Sequence, residues 1–176
     1  MRKFLISAAA ITLLAACTPP AQQQADRPGT PPGPTTVACN DVTPDAARQI
    51  SVGEEVVTAA AASDLRGGSI APGTYDLVNA TRVGGATGWT GTRAVALAVT
   101  EAPSGGVTFN WAGSEPGGDT DRWTASFTET PQVRVTYSCG RVGEVAADFA
   151  AQSNTLQLRL QDGASGQLAL EFQRRS

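Results

Sequence analysis

The chain has 176 residues, with 13 basic side chains against 16 acidic ones and no histidine, for a formal charge of −3. Without histidine it cannot build a Ser/His/Asp triad, a Cys/His pair or a histidine-ligated zinc site, and without a basic cluster it has no electrostatic footprint for nucleic acid. This length supports one domain with a real core and is short for two.

Arg2 and Lys3 open the chain, an almost unbroken apolar run covers residues 4–14, and Leu14, Ala15, Ala16 and Cys17 close it. A helix that crosses a bilayer needs about 20 apolar residues, so this shorter run with a small-residue end reads as an export signal to be cut away, not as a span. The quartet Leu14, Ala15, Ala16, Cys17 resembles the lipobox of bacterial lipoproteins. The resemblance implies removal of residues 1–16, a diacylglyceryl group on the Cys17 thiol and anchoring by fatty acyl chains such as palmitate. Thr18 stands where many inner-membrane members carry aspartate, which implies the outer membrane with the protein on its periplasmic face. Each buried methylene contributes about 0.8 kcal/mol, so several acyl chains hold a protein on a membrane without spanning it. Cleavage removes Arg2 and the chain's only lysine, Lys3, leaving 11 basic against 16 acidic side chains and a formal charge of −5.

With Cys17 assigned to lipid, Cys39 and Cys139 remain as an even pair in an oxidising compartment, and a disulfide is expected. Closing a loop of about 100 residues stabilises by about 4.7 kcal/mol in the chain-entropy model. Their spacing is not the CxxC of a redox couple.

Residues 17–38 form the lipidated N-terminus and a linker, with six of the eleven prolines and almost no apolar content. Proline-rich chain extends by about 3.1 Å per residue, so some twenty residues reach up to roughly 60 Å from the bilayer. Residues 39–72 read as a helical or irregular segment packed on the main domain. Thr43, Pro44 and Asp45 have the order of an N-cap, a first-turn proline and a first-turn acid. Gly53 interrupts the pattern, and residues 54–63 (EEVVTAAAAS) suit helix by their alanines and strand by their β-branched residues.

Residues 73–176 alternate apolar with polar or tiny side chains at period two, eight times over. Tyr75 and Leu77 share a face; so do Val95, Leu97 and Val99; Val107, Phe109 and Trp111; Trp123, Ala125 and Phe127. Val133, Val135, Tyr137 and Cys139 follow, then Val145, Ala147 and Phe149, then Leu156, Leu158 and Leu160, then Leu168, Leu170 and Phe172. The connectors at 103–106, 129–131 and 162–166 are short and rich in Gly, Pro, Asp and Ser, which makes neighbours antiparallel. An open meander leaves unpaired edges, and eight strands close into a barrel filled by side chains or holding one small ligand. The expected fold is therefore all-β, an eight-stranded antiparallel meander closing into a small barrel behind a short N-terminal helical segment; a β-sandwich is the alternative. Transmembrane strands carry apolar residues outward over about 9–11 residues, and these alternations read as too short for that. The motif GTYDL at residues 73–77 and the strand count resemble the lipocalin-like or calycin class, which implies a small apolar ligand within the barrel. The GxW of lipocalins is replaced here by Gly73, Thr74 and Tyr75, so no ligand-binding residue carries over.

Two loops exceed a tight turn, and loops on a rigid scaffold are where sites gather. Residues 82–93 (RVGGATGWTGTR) place Trp89 between Arg82 and Arg93. The functional reading is a flap closing over a ligand with an arginine holding an anion; the alternative is Trp89 tucked into the barrel end. Lacking a lysine, this loop is not a phosphate loop. Residues 112–121 (AGSEPGGDTD) bring Glu115, Asp119 and Asp121 together, short of the ligand set of a calcium loop and too solvated for a glycosidase pair. No cofactor or metal is expected. The function expected is a non-enzymatic, lipid-anchored envelope lipoprotein that binds a small apolar ligand in its barrel; the alternative is an envelope structural or protein-interaction module without an internal ligand site.

Overall fold

The computed structural model of the chain describes residues 38–55, 65–103 and 105–176. The expected export signal, Cys17, the expected tether up to residue 37 and residues 56–64 of the expected helical segment lie outside the described residues.

The alternating stretches form strands and pair with their neighbours in sequence. After β1 (Ile50–Ser51) and β2 (Gly53–Glu55) come β3 (Gly73–Val83), β4 (Thr92–Glu101), β5 (Val107–Ser114) and β6 (Thr120–Thr128). β7 (Arg134–Cys139), β8 (Glu144–Ala151), β9 (Thr155–Asp162) and β10 (Gly166–Arg174) complete the chain. β3 to β10 run antiparallel in chain order, and β10 returns to β3 with Arg174 opposite Tyr75 and Gln167 opposite Val83. β3 also pairs with β4, so the sheet closes on itself as a ring, not as a sandwich. Closure removes the edges that an open eight-strand meander would expose.

The ring is filled from within. Tyr75, Phe109, Phe127, Phe172, Leu77, Leu97 and Leu156 are the largest of the fully buried side chains. Where Ala125 leaves room, rings take it, since its register partners are Phe109 on one side and Tyr137 on the other. Phe109 and Phe127 lie 5.0 Å apart, as do Phe127 and Phe149. The strands are longer than the alternation suggested: β3 has 11 residues and β4 has 10. Length therefore does not set them apart from transmembrane strands; polarity does. The aromatic face points inward, while Asp148, Gln157 and Glu171 alternate with it outside.

Two bulges break the period. One between Glu171 and Phe172 of β10 sets Val78 of β3 out of register and leaves it exposed. The other, at Thr124/Ala125, pairs Tyr137 with Ala125 but Cys139 with Thr124. The inserted residue flips every later side chain to the other face. Cys139 thus leaves the apolar face that strict alternation assigned to it. It meets Cys39 outside the barrel, where the two are bonded with Cα atoms 5.6 Å apart.

The segment after Cys39 contains no helix among the described residues. Thr43, Pro44 and Asp45 yield a single turn, with Asp45 accepting from the Ala47 N–H through its side chain and from the Arg48 N–H through its carbonyl. The chain then turns to strand because an open seam waits for it. β3 and β4 pair only between Gly73–Asp76 and Ala96–Val99, and beyond that point they diverge. β1 pairs antiparallel with β4 at Arg93 and Thr92, and β2 pairs parallel with β3 from Thr81 to Val83. Backbone groups that a helix would have satisfied internally instead complete the ring.

Alanines admit this segment. Ala94, Ala96 and Ala112 sit on the outer face yet are fully buried. Beside them, Asn40 donates to Trp111 O and Trp123 O, Arg122 donates to Val42 O, and Thr124 donates to Cys39 O. Further along, Arg175 clasps the buried carboxylate of Asp76 through Nε and Nη2 at 2.6 to 3.0 Å and reaches Thr43 O at 3.1 Å.

Candidate functional site

In an up-and-down meander every second connection shares an end. Residues 84–91, 115–119, 140–143 and 163–165 therefore gather at one rim, and both loops singled out in the sequence lie on it.

Trp89 turns into the barrel. It is 5% exposed, and its ring lies 5.4 Å from Trp111, which stacks on Trp123 at 5.0 Å; Trp123 meets the edge of Tyr137 at 5.2 Å. All three tryptophans of the chain thus form one array. Its two ends carry arginines. The Arg93 guanidinium lies 5.1 Å over the Trp89 ring, and that of Arg141 lies 5.9 Å over both Trp123 and Tyr137. Such cation–π contacts favour guanidinium over an aromatic face.

The Trp89 loop is fastened from the opposite strand. Asp162 Oδ2 accepts the N–H groups of Thr87 at 2.8 Å and Gly88 at 2.6 Å. Trp89 is therefore a packed plug, the second of the two readings of this loop. Arg93 shares its end of the barrel and contacts it. In the strand register Arg82 of β3 lies opposite Glu54 of β2 and Arg93 of β4 lies opposite Ile50 of β1, so the two inserted strands lie between these positions.

Two of the three carboxylates of the second loop, Glu115 and Asp121, are drawn to arginine. Glu115 Oε1 lies 2.5 Å from Arg93 Nη2, joining the two loops, and Asp121 Oδ2 lies 3.0 Å from Arg141 Nη2. Among the described residues, no three Asp, Glu, Cys or His side chains stand together as a metal site.

Beside the Trp89 plug opens a cleft of 300 Å³ with Tyr137, Val145, Leu160 and Leu168 on its floor and Arg141 and Asp162 on its rim. Arg141 and the almost fully exposed Val142 form the tip of the β7–β8 hairpin. Gly140 sets that tip down: its φ is +77°, and a Cβ there would collide with Arg122 O. The indole N–H groups of Trp111 and Trp123 are buried beneath this rim without a hydrogen-bond acceptor among the described residues.

Tyr137, Arg141 and Asp162 were not among the sequence-level candidates. The one signal was the run Cys139, Gly140, Arg141, Val142, Gly143, in which two glycines flank a cation and an apolar residue, the composition of a tight tip. No protein-family model, curated protein or solved structure matches this chain.

Proposed function

We propose that the protein is a non-enzymatic lipoprotein, held by acyl chains on Cys17 at the periplasmic face of the outer membrane, whose barrel presents its loop end for recognition. The observation that carries this reading is the division of labour within the barrel. Aromatic rings occupy the interior, while four connections, two arginine–carboxylate pairs and an apolar-floored cleft meet at one rim. Loops positioned by a rigid scaffold suit recognition. A filled interior favours an interaction module over a lipocalin-like carrier with its ligand inside the ring. The lipobox and the proline-rich tether supply the anchor and the reach.

The anchor is tested by labelling cells with radioactive palmitate. The wild-type chain is expected to take up label and to sediment with outer membranes. A Cys17→Ala chain is expected to take up none, and equal labelling of the two would reject the assignment.

A further inference from the structure

We infer that the rim cleft takes a small organic anion, with an apolar or aromatic body on the floor of Tyr137, Val145, Leu160 and Leu168 and its charged head on Arg141. This rests on the reading of the loop end as the recognition face and names the chemistry that face accepts.

The charged groups on the cleft are two. Asp162 is committed, because its carboxylate holds the Thr87 and Gly88 N–H groups. Arg141 is not. Its guanidinium is steadied over the Trp123 and Tyr137 rings, and of its five N–H donors one meets Asp121. That pair is open to water, with side chains 43% and 40% exposed, and exposed pairs of this kind contribute little net stability. A ligand carboxylate or sulfonate therefore displaces Asp121 at low cost and gains a planar fork already oriented by aromatic faces. Of the remaining charges of the rim, Arg93 and Glu115 neutralise each other on the far side of Trp89, and Asp119 stands exposed on the second loop. The cleft volume of 300 Å³ matches the lower range of small-molecule sites, which are apolar with a few placed polar groups.

Asp121 thus acts as a resident competitor, and this predicts opposite effects from its two partners. The probe is naphthalene-2-sulfonate, with the uncharged naphthalene-2-sulfonamide as its control, titrated calorimetrically into the intact protein in matched detergent. Wild type is expected to bind the sulfonate saturably at one site and the sulfonamide about tenfold more weakly, the scale of one charge-assisted hydrogen bond. Arg141→Gln should weaken the sulfonate by about the same factor and leave the sulfonamide unchanged, whereas Asp121→Asn should tighten the sulfonate several-fold. A merely structural role for the pair would weaken both variants alike. Absence of saturable sulfonate binding to wild type overturns the inference, as do equal affinity for the two probes or weaker binding by Asp121→Asn. These failures leave the anchored interaction module standing if palmitate labelling succeeds; failed labelling rejects that reading whatever the calorimetry shows.

Discussion

Tyr75 shows how one side chain serves both the core and its closure. Its ring is 1% exposed, while its hydroxyl donates to Ala71 O at 2.7 Å and so ties the approach to β3 against the barrel end. Burial raises the phenol's pKa above its ordinary value, with the positive charge of Arg174 opposing. A raised value means that the fold prefers the protonated phenol. Its stabilisation is therefore complete below the unfolded pKa of about 10 and is lost as pH rises through the folded value. Tyr75→Phe should lower unfolding free energy by about 1 kcal/mol at neutral pH through the missing hydrogen bond. Above pH of about 10 the gap to wild type should close, because only the wild-type residue titrates there. Urea melts at neutral pH and near pH 10.5 measure this, and parallel curves would refute it. Asp76, one residue on, was invisible as a structural centre in the sequence. Alternation marks it as outward, and outward acids are ordinarily solvated. Only the arrival of Arg175 from ninety-nine residues away shows it to be a buried clasp.

At the scale of elements, the period-two pattern was legible because each strand buries one face against a common interior. Tyr75, Leu97, Phe109, Phe127 and Phe172, assigned to that face, are all buried there. Bulges were not legible, since one inserted residue leaves the composition of a strand unchanged while reversing its faces, as Cys139 shows. Nor were β1 and β2, whose strand state depends on a seam between β3 and β4 that no local propensity reports. The alanines of β4 carried a signal that could be misread: small residues opposite Val95, Leu97 and Val99 suggest a bland outer face, but they allow close approach of the N-terminal segment. The glycine-rich composition around Trp89 marks its loop as special, and the two readings of it differ in one fact, whether anything holds it down. Asp162 does. Asp162→Ala should hand the exposed Thr87 and Gly88 N–H groups to water and destabilise the protein by about 1 kcal/mol, the net contribution of hydrogen bonds within reach of solvent. Acrylamide should then quench tryptophan emission more efficiently as Trp89 loosens. Unchanged quenching together with an unchanged melt would show that Trp89 packing alone fixes the loop.

At the scale of the molecule, the ring closed by β3 against β4 and β10 is completed at its seam by a segment that precedes the meander. Residues 38–55 cross the outer face of β5 and β6, touch Asp76 near the C-terminus and fill the seam between β3 and β4. Further on, Gly67 bridges the edge of β8, where β7 no longer pairs. The disulfide fixes the start of this wrap to β7, closing a loop of 100 residues. Its effect falls chiefly on the unfolded chain, which loses the freedom to separate those points, and the chain-entropy model puts that near 4.7 kcal/mol, with native bridges spanning about 2–5 kcal/mol. In the folded state the same stretch is also held by Asn40, Arg122 and Thr124, so removing the bridge leaves its docking contacts in place. A Cys39→Ser, Cys139→Ser double variant should therefore keep the near-ultraviolet circular dichroism of its packed tryptophans without denaturant, yet unfold at a clearly lower urea concentration, by about 2–5 kcal/mol. A change below about 0.5 kcal/mol would mean that the reduced unfolded chain is already restrained. Loss of the tryptophan signal without denaturant would mean that the bridge itself, and not the hydrogen bonds around it, seats the wrap on the barrel. The same dependence links fold to compartment, because a bridge of this kind persists only where the surroundings are oxidising.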